Sequence, residues 1–92
     1  MTAAAVGSLE VQIDHVEQTV RSVLARLAIL ADAASIDTDR DLYDAGMTSH
    51  ASVKFMLALE DAFDVEFPDE LLKRETFGSI GVIAAAIGKL LG

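Results

Sequence analysis

Residues 44–63 read DAGMTSHASVKFMLALEDAF, and the fold follows from this stretch. It opens as a turn, in which Gly46 can take positive φ, and continues as a helix from about Ser49 to Phe63. At about 100° per residue, one group of apolar side chains falls in a single arc that should face a helical core. This group comprises Phe55, Met56, Leu59, Ala62 and Phe63. Ser49 lies at the junction of turn and helix, where Ser is a favoured cap.

The same helix has a second, smaller apolar face. Val53 and Leu57 are four residues apart and project away from the first arc, among charged and polar side chains. An apolar pair of this kind beside a helix N-terminus is a plausible docking patch, and cover by a loop or by the third helix is the alternative. We predict a partner-binding face formed by His50, Val53, Lys54, Leu57, Glu60 and Asp61.

Apolar spacing also predicts a long first helix, from Leu9 to near Asp32. Residues 33–48 carry several Asp residues and no sustained period, which indicates a long loop held to the core by scattered apolar anchors. Residues 1–8 are expected to form a flexible N-terminus, and residues 9–92 a single domain.

Two further helices are expected after residue 63. Pro68 suits the first turn of a short third helix that runs through Leu72. Thr76 is expected to cap a fourth helix, whose buried stripe would be Phe77, Ile80, Ile83, Ala84, Ile87, Leu90 and Leu91. The predicted fold class is therefore all-α, a four-helix bundle of three longer helices and one short helix, with a long loop after the first.

Composition restricts the classes of function. The 92 residues include fifteen acidic and seven basic side chains, for a formal charge of −8. Such a charge repels phosphate backbones and anionic membranes, so we expect no nucleic-acid or membrane partner and favour proteins with basic patches. The absence of Cys excludes a thiolate nucleophile and Cys-ligated zinc. No secretory pattern opens the sequence and no run approaches the roughly 18 apolar residues of a membrane span, so a cytoplasmic protein is expected.

Two polar clusters do not complete a metal or catalytic site. Asp37, Asp39 and Asp41 resemble the start of a calcium loop, but the sixth and twelfth positions are Leu42 and Thr48. A hydrolase site built on Ser49 and the adjacent His50 is disfavoured, because neighbouring helical side chains point about 100° apart. We therefore expect no resident metal and no catalytic residue.

The sequence resembles the acyl carrier protein family from about Leu9 to Leu91. The family pattern is Gly, two variable residues and a modified Ser, then a helix ending in Leu-Glu-acidic-x-Phe, and then Pro. The matching residues, in order and spacing, are Gly46, Ser49, Leu59, Glu60, Phe63 and Pro68. No single match is specific, but six at fixed offsets make chance agreement improbable.

The resemblance implies an attached cofactor and a set of partner enzymes. A phosphopantetheinyl transferase would move the 4′-phosphopantetheine of coenzyme A to the Ser49 hydroxyl, with Mg²⁺ supplied at the transferase. The arm would hold cargo as a thioester, charged by a loading ligase and passed to a downstream transferase, on a monomeric carrier that is not itself an enzyme.

Two departures from the family pattern bear on the partner and the cargo. His50 stands where Leu is common after the modified Ser, and Lys54 stands where an acid is frequent. These changes favour a dedicated partner. In lacking the usual recognition residues, the sequence resembles a branch of stand-alone carriers that receive amino acids from synthetase-like ligases. Acyl cargo for lipid, polyketide or peptide-type metabolism stays open. The rival hypothesis is an unmodified helical adaptor that binds a protein through Val53 and Leu57, and a small hydrolase is a distant third.

Overall fold

The computed structural model describes residues 15–92, which form helices and 3₁₀ turns, with no strand in that range. The helices are α1 (residues 15–26), α2 (Leu42–Ala45), α3 (Ser49–Phe63) and α4 (Ile80–Leu91), with 3₁₀ turns at Asp69–Leu71 and Arg74–Phe77. The predicted all-α class is confirmed. The predicted flexible segment 1–8 and the predicted helix start at Leu9 lie outside the described residues.

The core is built from apolar side chains of every helix. The largest fully buried side chains are Val20, Val23, Leu24, Leu42, Phe55, Leu59, Ile80, Ile83 and Ile87. Full burial of a side chain of this kind contributes about 1.5 to 3 kcal/mol, so α3 and α4 are held largely by these contacts. The buried stripe predicted for α4 is correct at Ile80, Ile83 and Ile87, which are buried. Leu91, which was predicted to belong to the stripe, is exposed.

The first helix ends at Arg26, so the predicted end near Asp32 is wrong. Ala28 adopts a left-handed conformation with φ 55°, and this turns the chain before the apolar pattern stops. The turn carries Leu30, Ala33 and Ile36 into the core as loop anchors, although their spacing resembles that of a helix. The predicted long loop after the first helix therefore begins earlier than expected.

The predicted loop 33–48 also contains the short helix α2. The carboxylate of Asp41 accepts the backbone N–H groups of Tyr43 at 2.9 Å and Asp44 at 3.2 Å, which caps this single turn. Leu42 is fully buried and holds the turn against the core. Four residues are too short to show a helical period in sequence.

The segment between α3 and α4 differs from the prediction in two details. The short third helix is a 3₁₀ turn, and Pro68 precedes it in extended conformation instead of lying in its first turn. The predicted cap at Thr76 is wrong, because Ser79 Oγ accepts the Val82 N–H at 3.2 Å and caps α4. Thr76 lies buried in the second 3₁₀ turn, where the chain changes direction before α4 begins.

Candidate functional site at the start of α3

The turn that leads into α3 is fixed by three consecutive residues. Gly46 has φ 128°, the positive value predicted for it, where a side chain would be strained. Met47 is buried and anchors the turn in the core. Thr48 is extended, and its Oγ1 accepts the Ala51 N–H at 3.0 Å, so Thr48 is the N-cap of α3. The turn therefore delivers the next residue to a defined position at the helix start.

Ser49 is the first residue of α3 and is exposed. The expectation that it caps the helix is wrong, since the preceding Thr48 does so. Among residues 15–92 the Ser49 hydroxyl makes no hydrogen bond, and only its carbonyl is engaged, by Ser52 Oγ at 2.7 Å. The hydroxyl therefore stands free at the positive end of the helix dipole, accessible to a modifying enzyme.

A groove of about 420 Å³ lies beside Ser49. Its apolar and aromatic lining comes from α2, α3 and the segment after the first 3₁₀ turn, namely Tyr43, Val53, Met56, Leu72 and Phe77. Phe77 is fixed by an edge-to-face contact with Phe67, with ring centroids 5.3 Å apart. This volume is at the lower end of the range for small-molecule sites, so the groove can take part of a ligand.

Two cations, Lys73 and Arg74, also line this groove. The guanidinium carbon of Arg74 lies 3.8 Å from the centroid of the Tyr43 ring, a cation–π contact that holds the side chain over the groove wall. Within the described part of the chain, neither cation forms an ion pair. The groove lining is therefore positive, although the chain as a whole carries a charge of −8.

The predicted partner-binding face is exposed along most of its length. Val53 is 52% and Leu57 55% exposed, and His50, Lys54 and Asp61 are also exposed. Within residues 15–92, neither a loop nor the third helical segment covers the apolar pair, so cover by such a segment does not account for it. Val53 borders the groove as well, so the face and the groove adjoin along α3.

Glu60 has a structural contact that the sequence did not indicate. It is half-buried, and its Oε2 accepts the Phe67 N–H at 2.8 Å, which holds the chain after α3 against the helix end. A role for Glu60 in partner binding stays a prediction. Its carboxylate is less available to a partner than that of the exposed Asp61.

The described residues contain no group of three or more His, Asp or Glu side chains placed to hold a metal ion. Asp37, Asp39 and Asp41, whose spacing resembles the start of a calcium loop, are all exposed. The carboxylate of Asp41 caps α2. No helix between residues 15 and 92 has the length and apolar character to cross a membrane.

Comparison with known proteins identifies the family. The family model described as "Phosphopantetheine attachment site" matches residues 15–87, so the chain belongs to this family. It is 45% identical over 74 residues to an aminoacyl carrier protein of Agrobacterium fabrum, covering 79% of this chain and 89% of that one. It is 32% identical over 80 residues to an acyl carrier protein of Akkermansia muciniphila, covering 86% and 96% respectively.

Solved structures give the same assignment. One match is a crystal structure of an engineered Bradyrhizobium japonicum glycine:[carrier protein] ligase in complex with a carrier protein from Agrobacterium tumefaciens and ATP. There the TM-score is 0.77 at 43% identity, with 82% of this chain and 99% of the matched chain covered. A solution structure of an Agrobacterium tumefaciens protein matches with TM-score 0.65 at 43% identity, covering 82% and 92%.

The protein is therefore a carrier with a phosphopantetheine prosthetic group, as the resemblance implied. These relationships do not favour the unmodified adaptor. The residues at the start of α3 fit such a group. The Ser49 hydroxyl is exposed and does not cap the helix, and the groove beside it is lined by two cationic side chains and by no carboxylate. The sequence did not reveal the groove, since its lining residues are spread along the chain from Tyr43 to Phe77.

Proposed function

We propose that Ser49 carries the 4′-phosphopantetheine arm and that the cargo of the arm is an amino acid. In the transfer, Ser49 Oγ forms a bond to the phosphorus of the pantetheine phosphate of coenzyme A. The bond from this phosphorus to the leaving 3′,5′-ADP breaks, and a base of the phosphopantetheinyl transferase takes the hydroxyl proton. The arm supplies a terminal thiol, which this Cys-free chain lacks, for a thioester to the cargo.

The observation that carries the proposal is the separation of two roles between adjacent hydroxyls. Thr48 satisfies the Ala51 N–H and stabilises the helix start, and Ser49 is exposed with no hydrogen bond to its hydroxyl among the described residues. A phosphodiester at Ser49 would add negative charge near the N-terminus of α3, where the helix dipole favours it by about 0.3 to 1 kcal/mol. Modification is thus compatible with the folded state.

The relatives support the choice of an amino acid. The aminoacyl carrier protein of Agrobacterium fabrum is 45% identical, against 32% for the acyl carrier protein of Akkermansia muciniphila. The structural match is to a carrier bound to a glycine:[carrier protein] ligase. We therefore propose an amino-acid-activating ligase as the loading partner, with a downstream transferase that accepts the aminoacyl group from a monomeric, non-catalytic carrier.

Mass spectrometry of the intact protein tests the attachment site. After incubation with coenzyme A, Mg²⁺ and a phosphopantetheinyl transferase, the wild type should gain the mass of one phosphopantetheine. Ser49→Ala should gain none, while Thr48→Ala and Ser52→Ala, which remove the neighbouring hydroxyls, should still be modified. An adduct on Ser49→Ala, or none on the wild type with any competent transferase, would disprove the site.

Loading tests the cargo. The modified protein, incubated with ATP, a bacterial glycine:[carrier protein] ligase and an equimolar mixture of glycine and other small amino acids, should gain the mass of one aminoacyl group. Hydroxylamine should release this group, because it cleaves thioesters. Loading by a fatty-acyl ligase alone, with no aminoacyl product, would assign the acyl branch instead.

A further inference from the structure

The positive lining of the groove is unusual for this chain. Acidic residues outnumber basic ones by fifteen to seven, yet the charged side chains that line the groove beside Ser49 are both cations, Lys73 and Arg74. Their exposed side chains form no ion pair within the described residues. No carboxylate of the lining offsets these two charges, so the groove presents an unneutralised positive site to an anion.

The proposed attachment at Ser49 would place an anion at this point. A phosphodiester on Ser49 Oγ carries a negative charge and is tied to a residue that itself lines the groove. Lys73 and Arg74 line the same groove of about 420 Å³ and lie at the start of the second 3₁₀ turn. Long, exposed Lys and Arg side chains bind phosphate oxygens readily, Arg through paired N–H groups and Lys as a point charge.

An aromatic contact also restrains Arg74. Its guanidinium lies over the Tyr43 ring, so one face is used by the aromatic contact and the N–H groups remain at the edge of the plane. Stacking restricts the side chain before any anion binds, and a restricted donor loses less conformational entropy on binding. Tyr43 therefore holds Arg74 in place.

We infer that Lys73 and Arg74 bind the phosphodiester of the arm in the groove that they line together with Ser49. The inference rests on the proposed attachment at Ser49. In the modified protein the base of the arm then lies in the groove beside Met56 and Leu72, and a partner enzyme has to displace it before the thiol can extend into an active site. An acidic partner surface is the competing ligand for the same two cations.

Nuclear magnetic resonance of the intact protein tests this contact. Mass spectrometry first shows that every sample carries the arm. The wild type should then give a ³¹P shift different from that of the same modified protein unfolded in urea, which keeps the phosphodiester but not the groove, and nuclear Overhauser contacts from the pantetheine methyl groups to Met56, Leu72 or Phe77. The difference in ³¹P shift and the intensity of the nuclear Overhauser contacts should both decrease as salt is raised, because the contact is an exposed charge pair.

The test variant is Lys73→Gln/Arg74→Gln, with Arg40→Gln/Lys89→Gln as the charge-matched control. Arg40 and Lys89 are exposed and do not line the groove. Each cation should change the ratio of docked to free arm by roughly 1.4- to 5-fold, so the test variant should lower this ratio by roughly 2- to 25-fold and weaken the contacts, and the control should keep them. Lys73→Arg/Arg74→Lys, which keeps both charges, should restore the ³¹P shift at least in part.

The outcomes separate the two proposals. No adduct on the wild type disproves the attachment and this contact together. An adduct without arm-to-groove contacts, or with contacts unchanged in Lys73→Gln/Arg74→Gln, overturns the contact alone. If that variant keeps the arm contacts but binds the loading ligase more weakly, the cations serve an acidic partner surface and the inference is wrong.

Discussion

The hydroxyl oxygen of Thr48 accepts the backbone N–H of Ala51 at 3.0 Å and caps α3 one residue before Ser49. The cap and the proposed modification site are therefore adjacent but separate. Attachment of an arm to Ser49 leaves the hydrogen bond of the cap intact, so the helix start keeps its geometry in the modified protein. This separation has a direct consequence for stability.

Thr48→Ala should destabilise the unmodified protein by about 0.5 to 2 kcal/mol, the usual cost of losing an N-cap hydroxyl. Ser49→Ala should change the free energy of unfolding by less than about 0.5 kcal/mol, since the side chain is exposed and its hydroxyl is unbonded in the described structure. Urea denaturation followed by circular dichroism measures both. An equal loss in the two variants would show that Ser49 shares the capping role.

Acid stability should depend on Glu17. The hydrogen bond from the Thr38 hydroxyl, together with the hydrogen bond and charge of Arg21, lowers the pKa of Glu17 below its usual 4.5. A carboxyl with a lowered folded-state pKa stabilises the fold fully above its unfolded value and loses that contribution as pH falls through the folded value. Glu17 should therefore contribute to a fall in stability that begins near pH 4.5 and continues below it.

Thr38→Val removes the largest cause of this lowered pKa and should flatten the acid-side loss of stability. Thermal unfolding midpoints measured from pH 6 to pH 3 compare the variant with the wild type. Glu66→Gln, at an exposed carboxylate, is the control and should leave the profile close to that of the wild type. An unchanged profile in Thr38→Val would contradict the role of this hydrogen bond.

Two glycines of α4 should respond in opposite ways to Ala. Gly88 is exposed and an added Cβ would meet no atom within 4 Å, so Gly88→Ala should stabilise by about 0.5 to 1 kcal/mol through helix propensity. At Gly81 the Cβ would lie 3.0 Å from Thr38 Cγ2, where the Gly81 N–H also donates to the Thr38 carbonyl at 3.0 Å. Gly81→Ala should therefore show no gain or a loss, because Thr38 must move.

Chemical denaturation of both glycine variants gives the comparison directly. The difference between them should be at least about 1 kcal/mol, since crowding typically costs 1 to 3 kcal/mol. An equal gain in the free energy of unfolding at both positions would mean that the loop carrying Thr38 moves at no cost. The hydrogen bond from the Gly81 N–H to the Thr38 carbonyl would then not hold this loop in place.

The long helices could be predicted from sequence, and the chain reversals could not. Phe55 and Leu59 are fully buried, as their arc predicts, and Val53 and Leu57 are exposed on the other side. In contrast, the apolar period of α1 continues past the point where Ala28 takes positive φ, and an Ala gives no sign of such a conformation. Periodicity identifies faces well because burial selects them, but it does not determine where a helix ends.

The candidate site was partly predictable for a similar reason. The modified-Ser pattern around Gly46 and Ser49 is local in sequence and was found there. The choice of cap was ambiguous, because Thr48 and Ser49 are both favoured at that position. Lys73 and Arg74 come to the groove only through the tertiary fold, more than twenty residues after Ser49, and nothing in the spacing of either segment indicates their proximity.

The exposed apolar pair of α3 leads to the last prediction. Leu57 is 55% exposed and does not line the groove, so Leu57→Asp should leave the fold and the attachment of the arm unchanged. If this face docks the loading ligase, the substitution should raise the KM for the modified carrier at least about fivefold, equivalent to a loss of about 1 kcal/mol of binding energy.

Val82→Asp is the matched control for Leu57→Asp. Val82 is 48% exposed in the first turn of α4, where an acidic residue suits the helix dipole. The steady-state rate of aminoacyl loading, measured against carrier concentration, should therefore separate the two variants, with KM raised only in Leu57→Asp. Equal KM values for both would mean that the ligase contacts another surface, and the exposure of Leu57 would then have no part in recognition by this partner.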